Sequence, residues 1–250
     1  MLKKEGENMQ YNVVVIGGGP AGMMSAIEAA KNGNRVTLLE KMRTCGRKLS
    51  ITGKGRGNLT NNANISEFIK NVPGNGKFLY STFNQYTNRD LIAYFNSLGV
   101  ETKVERGERV FPVSDSAMSF VNALKKELQK YNVKTKVNSI VKKILYEETN
   151  KGGNNVRNVK GVLLESGETI ECDKIILATG GKSYSSTGSD GSGYILAKEL
   201  GHTIVEPKGS LIPLETYEKY DLQGLSLKNV SIVVNVLKWN CQKLSIESPK

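Results

Sequence analysis

Three cysteines in 250 residues, Cys45, Cys172 and Cys241, stand far apart and form no C-x-x-C pair. Neither a zinc knuckle nor a dithiol redox centre is expected from them. Histidine occurs once, at His202, between a helix-ending glycine and an extended stretch, where capping or burial is expected ahead of proton transfer. No metal site is expected. The chain has few prolines, and its longest apolar run is interrupted by glycines, so no membrane-spanning segment is expected. Residues 1–8, MLKKEGEN, are polar and lack the apolar stretch of a signal peptide, and Met9 offers a second start. A cytoplasmic location is the resulting expectation. Acidic residues are outnumbered, 24 against 35 basic ones, for a net charge of +11. The lysines are scattered and no aromatic residues interleave with them, which argues for a solvated surface over a nucleic-acid interface. Some of the excess suits an anionic cofactor.

What the chain does have is concentrated near its start. Tyr11 to Ile16, YNVVVI, reads as a buried strand, and GGGPAG follows at 17–22. A helix is expected from Pro20 to Asn32, then a second strand from Arg35 to Leu39 that ends in Glu40. Strand, G-x-G-x-x-G, helix, strand and acid form a dinucleotide-binding fingerprint. Gly17 allows the tight turn, Gly19 lets a diphosphate approach the backbone, and Gly22 lets the helix pack on the sheet. Pro20 suits the first helical turn, and with Ala21 it opens the helix end that attracts anions. Gly33 ends the helix. Glu40 is placed to accept hydrogen bonds from a ribose diol and to disfavour a 2′-phosphate. Lys41 either flanks adenine or is an exposed lysine at a strand end.

Further along, 41–61 is a long glycine-rich and basic loop of the kind that is usually functional. One helix is expected over 78–98, closed by Gly99, and a strand over 100–104. An extended segment is expected over 109–112. A second helix, capped by Ser114 or Asp115, should run to about Lys130 with Phe120, Val121, Leu124 and Leu128 on one face. Val133 to Asp173 reads as a β region, with a polar loop at 151–155 and a hairpin turn at 166–168. Lys174 to Ala178 reads as a buried strand leading into Thr179-Gly180-Gly181, a second close-approach glycine site at a sheet edge. A short helix over 194–200 and a strand over 225–238 complete the expectations.

GGGPAG (17–22), GKGRGNLTN (53–61), RVFPVSDSA (109–117) and ATGGKSYSSTGSDGSGYILAKELGHTI (178–204) together resemble the FAD-dependent oxidoreductases of the aminoacetone oxidase and bile-acid-inducible flavoprotein type. The likeness runs from about Tyr11 to Val236. It implies an α/β fold: a Rossmann-like FAD-binding domain of the two-dinucleotide (GR2) type over 10–204. A mainly β domain would be inserted from 205 and run through 250, incomplete here. Members of that family are longer, so the chain is expected to be a partial one, lacking a final FAD-contacting segment. Gly57 stands where the family has cysteine and Ser185 where it has proline, so cysteine-assisted chemistry is not expected.

The resemblance assigns FAD contacts to Gly17, Gly19, Pro20, Ala21, Gly22 and Glu40. It places Gly53, Gly55, Arg56, Gly57, Asn58 and Leu59 along the flavin. Val141 would touch adenine through its backbone, and Ala178, Thr179 and Gly180 would approach the cofactor. Arg47 and Lys48 match a basic pair that serves phosphate, flavin or simply the surface. Tyr184, Arg109 and Phe111 would border the substrate pocket, with packing as the alternative for Tyr184. The implied function is hydride transfer between FAD and a small organic substrate, an amine, a ketone or a C=C bond reduced with NAD(P)H as electron donor. Two rivals stand beside it: a non-catalytic nucleotide-binding module and an FAD-dependent tRNA-modifying enzyme. Oligomeric state is left open.

Overall fold

A computed structural model describes residues 10–151 and 154–209. The chain divides into two compact units, Met1–Lys208 and Gly209–Lys250. The expected strand over 225–238 and the inserted domain beyond Gly209 lie outside the described residues.

The elements follow in order: β1 (Asn12–Ile16), α1 (Pro20–Lys31), β2 (Arg35–Leu39), α2 (Arg47–Ser50), β3 (Thr60–Asn61), α3 (Ile65–Lys70), α4 (Tyr80–Gln85) and α5 (Asn88–Ser97). Then come β4 (Thr102–Glu105), β5 (Arg109–Pro112), α6 (Met118–Lys130), β6 (Lys134–Lys136), β7 (Val141–Lys151), β8 (Asn154–Leu164), β9 (Thr169–Glu171), β10 (Lys174–Leu177) and α7 (Ser192–Glu199). A parallel sheet of order β10-β1-β2-β6 is the frame. β7-β8-β9 and β3-β5-β4 form two antiparallel sheets.

The β-branched run of β1 explains its central place. Side chains alternate across a strand, so Val13 and Val15 enter one core with Met23, Ile27, Phe120 and Leu124, while Val14 and Ile16 enter another with Val141, Val162 and Leu196. The sheet is thus covered on both faces, by α1 and α6 on one and by the β7-β8-β9 sheet with α7 on the other. Apolar side chains on both faces are what a buried parallel strand requires. The face expected for α6 is the buried one, and Phe120 meets Phe95 edge to face at 4.7 Å.

Four expectations need correction. The single helix over 78–98 is two, α4 and α5, because Thr87 and Asp90 form a reciprocal capping box that starts a new helix. Phe83 packs instead on Phe68, 5.1 Å away. Neither Ser114 nor Asp115 caps α6. Asp115 sits at φ +51 and binds Arg56 and Lys103, and the helix begins after Ala117 with no side-chain cap. Among the described residues β10 is the edge of the sheet, and Leu177 is exposed where a buried strand was expected. His202 is exposed too, although its backbone N–H does cap α7 by donating to the Ala197 carbonyl at 3.1 Å. Among the described residues, no helix is long and apolar enough to cross a membrane.

Candidate cofactor site

From β1 the chain steps one way to β2 and β6, and it later returns on the other side as β10. The point where the order reverses, between β1 and β10, is where open α/β sheets bind ligands, outside the carboxyl ends of the strands. A cavity of about 280 Å³ lies there, walled by Ile16 to Ala21, Leu39 to Lys41, Ser139 to Val141 and Ala178 to Gly180. Its volume is near the lower end of small-molecule sites, about 300–1,000 Å³.

Its floor is the glycine turn. Gly17 has φ +107, and a Cβ there would strike the Ala178 carbonyl, so the two glycine crossings touch. A Cβ on Gly22 would strike the Gly17 carbonyl. Gly19 is different: nothing lies within 4 Å of where its Cβ would be. That open side belongs to the residue preceding α1, whose end carries no side-chain cap. The first bond of the helix is from Met23 N–H to the Gly19 carbonyl at 2.9 Å. The N–H groups of Gly19, Ala21 and Gly22 therefore have no intrahelical acceptor, and with the helix dipole they form an anion seat.

Glu40 braces this seat. Its carboxylate is buried and accepts from Gly18 N–H at 2.6 Å and Met42 N–H at 2.7 Å. Charge-assisted bonds of this length fix the turn out of β1 against the turn out of β2. Gly18 escapes a motif-based reading, yet a Cβ there would lie 2.6 Å from Cys45 Sγ and 2.9 Å from Glu40 Cβ. Burial, with the Glu40 charge beside it, pushes the Cys45 thiol up to about 11, so it packs as an inert group.

The far wall is the segment before α7. Lys41 Nζ pairs with Asp190 at 2.6 Å and holds that carboxyl down at about 2. Lys48 Nζ donates to the Ser183 carbonyl at 2.7 Å. Thr187, Gly188, Ser189, Ser192 and Leu196 complete the wall with Thr44 and Gly46. Sequence reasoning passed over these residues. The run of small residues in GSDGSG is the signal that could have found them, since a Cβ on Gly193 would strike Thr179 Oγ1.

Of the residues singled out from sequence, Gly17, Gly19, Pro20, Ala21, Glu40, Lys41, Arg47, Lys48, Val141, Ala178, Thr179 and Gly180 stand in one wall. Gly22 lies just beneath it. Gly53, Gly55, Arg56, Gly57, Asn58 and Leu59 are not in the wall; Leu59 N–H donates to the Val110 carbonyl of β5 at 2.8 Å, and the Gly55 carbonyl accepts from Ala117 N–H at 2.8 Å, just before α6. Arg56 is bidentate on Glu105 at 2.5 and 3.1 Å, reaches Asp115 at 2.6 Å and lies 4.4 Å above the Phe111 ring. Those carboxylates raise the Arg56 pKa further. Gly57, at φ +86, has no room for a side chain against Ala117 and Phe120. Phe111 is buried and Arg109 exposed, both away from the cavity wall.

The "HI0933-like protein Rossmann domain" family matches residues 11–243. The chain belongs to this family of FAD-type Rossmann proteins. Among curated relatives, the 3-dehydro-bile acid delta(4,6)-reductase of Clostridium scindens is 35% identical over 205 residues, covering 80% of this chain and 46% of that protein. The ribosomal RNA dihydrouridine synthase of Haemophilus influenzae is 29% identical, covering 89% of this chain and 53% of that one. The chain spans about half the length of the curated relatives it matches. A flavocytochrome c3 fumarate reductase shares the fold with a TM-score of 0.53 and 21% identity, over 76% of this chain and 40% of that one. So does 3-ketosteroid-delta4-(5alpha)-dehydrogenase from Rhodococcus jostii RHA1, with a TM-score of 0.50 and 15% identity, over 72% and 48% of the two chains.

Proposed function

We propose that this chain carries the FAD-binding part of an oxidoreductase that reduces a C=C bond conjugated to a carbonyl. The observation that carries the cofactor reading is the uncapped amino end of α1, opening into a cavity at the switch point with both glycine crossings in its wall. Backbone N–H groups of Gly19, Ala21 and Gly22 would hold the diphosphate. Glu40, already fixed by two N–H donors, has carboxylate lone pairs left for a ribose diol. Ser139, Ile140 and Val141 would flank adenine. The residues fit a dinucleotide's ADP half, and 53–59 is the segment we place along the rest of the cofactor. When bound, FAD supplies hydride transfer, while the chain supplies orientation and a water-poor, N–H-lined floor.

The substrate class comes from the relatives' names. One is called a delta(4,6)-reductase of a 3-dehydro-bile acid, others dihydrouridine synthases. Both names describe saturation of a C=C bond in conjugation with a ring carbonyl. A reductase requires an electron donor, and NAD(P)H is the proposed one. Ribosomal RNA as the substrate is a second reading, favoured by the net charge of +11 and the synthase relatives. The test is to purify the chain, record its visible spectrum, identify the released cofactor, and add NADH or NADPH without oxygen. Bound FAD that bleaches supports the proposal. A colourless protein, or one releasing NAD, refutes it. RNA retention that weakens steeply with salt supports the second reading.

A further inference from the structure

The loop from Gly180 to Gly191 forms part of the cavity wall through Thr187, Gly188 and Ser189, and it meets the part formed after β2 by Lys41 and Lys48. The two parts touch: a Cβ on Gly188 would stand 3.1 Å from Met42 Cγ and 3.5 Å from Lys41 Cε. They are also tied. Lys41 Nζ meets Asp190 Oδ2 at 2.6 Å, and Lys48 Nζ donates to the Ser183 carbonyl at 2.7 Å. Asp190 Oδ1 accepts from the Ser192 N–H at 3.1 Å, so one carboxylate joins the first turn of α7 to the residue after Glu40. The Lys41 charge is thereby committed to Asp190. A further pair, Lys182 with Glu206 at 3.0 Å, joins two exposed side chains, and neither lines the cavity.

Those ties matter because little else holds the loop. It contributes no buried apolar side chain, and Lys182 to Ser186 are all exposed, Tyr184 at 71%. Segments with few buried apolar contacts open at low cost in free energy. The loop closes on itself: a Cβ on Gly180 would stand 2.7 Å from Ser189 Oγ, and one on Gly191 would stand 2.7 Å from Lys182 Cγ. Compact loops with touching ends are frequently functional. Gly180, Gly188 and Gly191 have φ of +76, +108 and +87, and small residues at the ends of a loop are suited to absorb the backbone change of a hinge. We propose that the Lys41–Asp190 pair is a latch, with the Lys48 bond as its second tie, that holds the 180–191 loop against the cavity so that a dinucleotide enters and leaves while the ties are broken. This rests on the FAD reading above. A latch holds the loop whether the cavity is filled or empty, so breaking it speeds entry and exit alike. A side chain that binds the cofactor directly changes affinity through exit alone.

The test uses the full chain and FAD, with uptake and release each followed by flavin fluorescence in wild type, Asp190→Asn, Lys41→Met and the double variant. Asparagine keeps an oxygen for the Ser192 N–H, and Asp190 is not in the cavity wall. In Asp190→Asn both rate constants should rise about twofold to fivefold, the most that a half-exposed ion pair supports, with the dissociation constant within about twofold of wild type. Lys41→Met should release FAD faster by a similar factor, and the double variant no faster than either, because each removes the same pair. In 1 M salt, where charges are screened beyond about 3 Å, the ratio of Asp190→Asn to wild-type rates should fall toward one. Unchanged rates in Asp190→Asn, in a wild type that does take up FAD, overturn the latch and leave the FAD reading standing. Slower release from Asp190→Asn also overturns it, since Lys41 would then be a phosphate ligand that Asp190 holds back. So does weaker binding without faster uptake, the mark of a merely structural support. A wild type that takes up no FAD refutes the FAD reading and the latch with it.

Discussion

Replacing Glu40 with glutamine keeps the shape of the side chain and changes what it can accept. The carboxylate takes one N–H on each oxygen, from Gly18 at 2.6 Å and from Met42 at 2.7 Å, in a buried site. An amide has one acceptor oxygen, so one N–H keeps its partner while the other faces an NH₂ group. Hydrogen bonds to a charged acceptor contribute about 1.5–3 kcal/mol, and an unsatisfied buried donor costs about 1–3 kcal/mol. The expected loss is about 2–4 kcal/mol. At about 2–4 °C per kcal/mol for a domain of this size, thermal unfolding should fall by roughly 5–15 °C. Circular dichroism of wild type and Glu40→Gln, each with and without added FAD, measures it. The variant should also bind FAD more weakly, because the turn that aims the Gly19 N–H is no longer braced. A midpoint within about 2 °C of wild type would show that Glu40 is not the brace described.

Other expected outcomes are narrower. Arg56→Ala should leave the FAD dissociation constant within about twofold, because the guanidinium is occupied by Glu105, Asp115 and Phe111; a tenfold loss, read by flavin fluorescence, would show that the Arg56 side chain itself holds the cofactor. The Asp190 carboxyl is held down at about 2 by the Lys41 ammonium, against about 3.9 unfolded, so its contribution is present above pH 4 and disappears as pH falls toward 2. As the pair is half-exposed, this is within about 1 kcal/mol; Asp190→Asn should flatten acid unfolding between pH 4 and 2, and identical acid curves would count against the pair. Cys45 and Cys172, both pushed up to about 11 by burial, should alkylate at least tenfold slower at pH 8 in the folded protein than in urea. Peptide mass spectrometry after iodoacetamide reads this, and fast labelling of Cys45 would mean that the floor of the site is open.

The first half of the site was legible because it is local. A glycine loop between a β-branched run and a helix has one economical conformation, and it needs no distant residue to form. The reading failed where a side chain had a distant alternative. Asp115 has the chemistry of a cap, but Arg56 and Lys103, 59 and 12 positions away, claim its oxygens. Phe83 has helical spacing with Leu91, yet Thr87 offers the backbone a better start with Asp90.

What the sequence by itself determined is therefore the glycine turn, the helix whose end it opens, the acid that follows the second strand and the alternation that buries β1. Each depends on φ/ψ preference or on periodicity within a few residues. Only the tertiary structure decided that Glu40 spends its oxygens on Gly18 and Met42, that Gly18 needs its bare Cα because Cys45 lies beneath it, and that Lys41 and Lys48 hold the loop bearing Tyr184. Apart from the local bond to Met42, those outcomes depend on which groups meet across 22 to 149 positions of chain, about which spacing along one strand or helix carries no information.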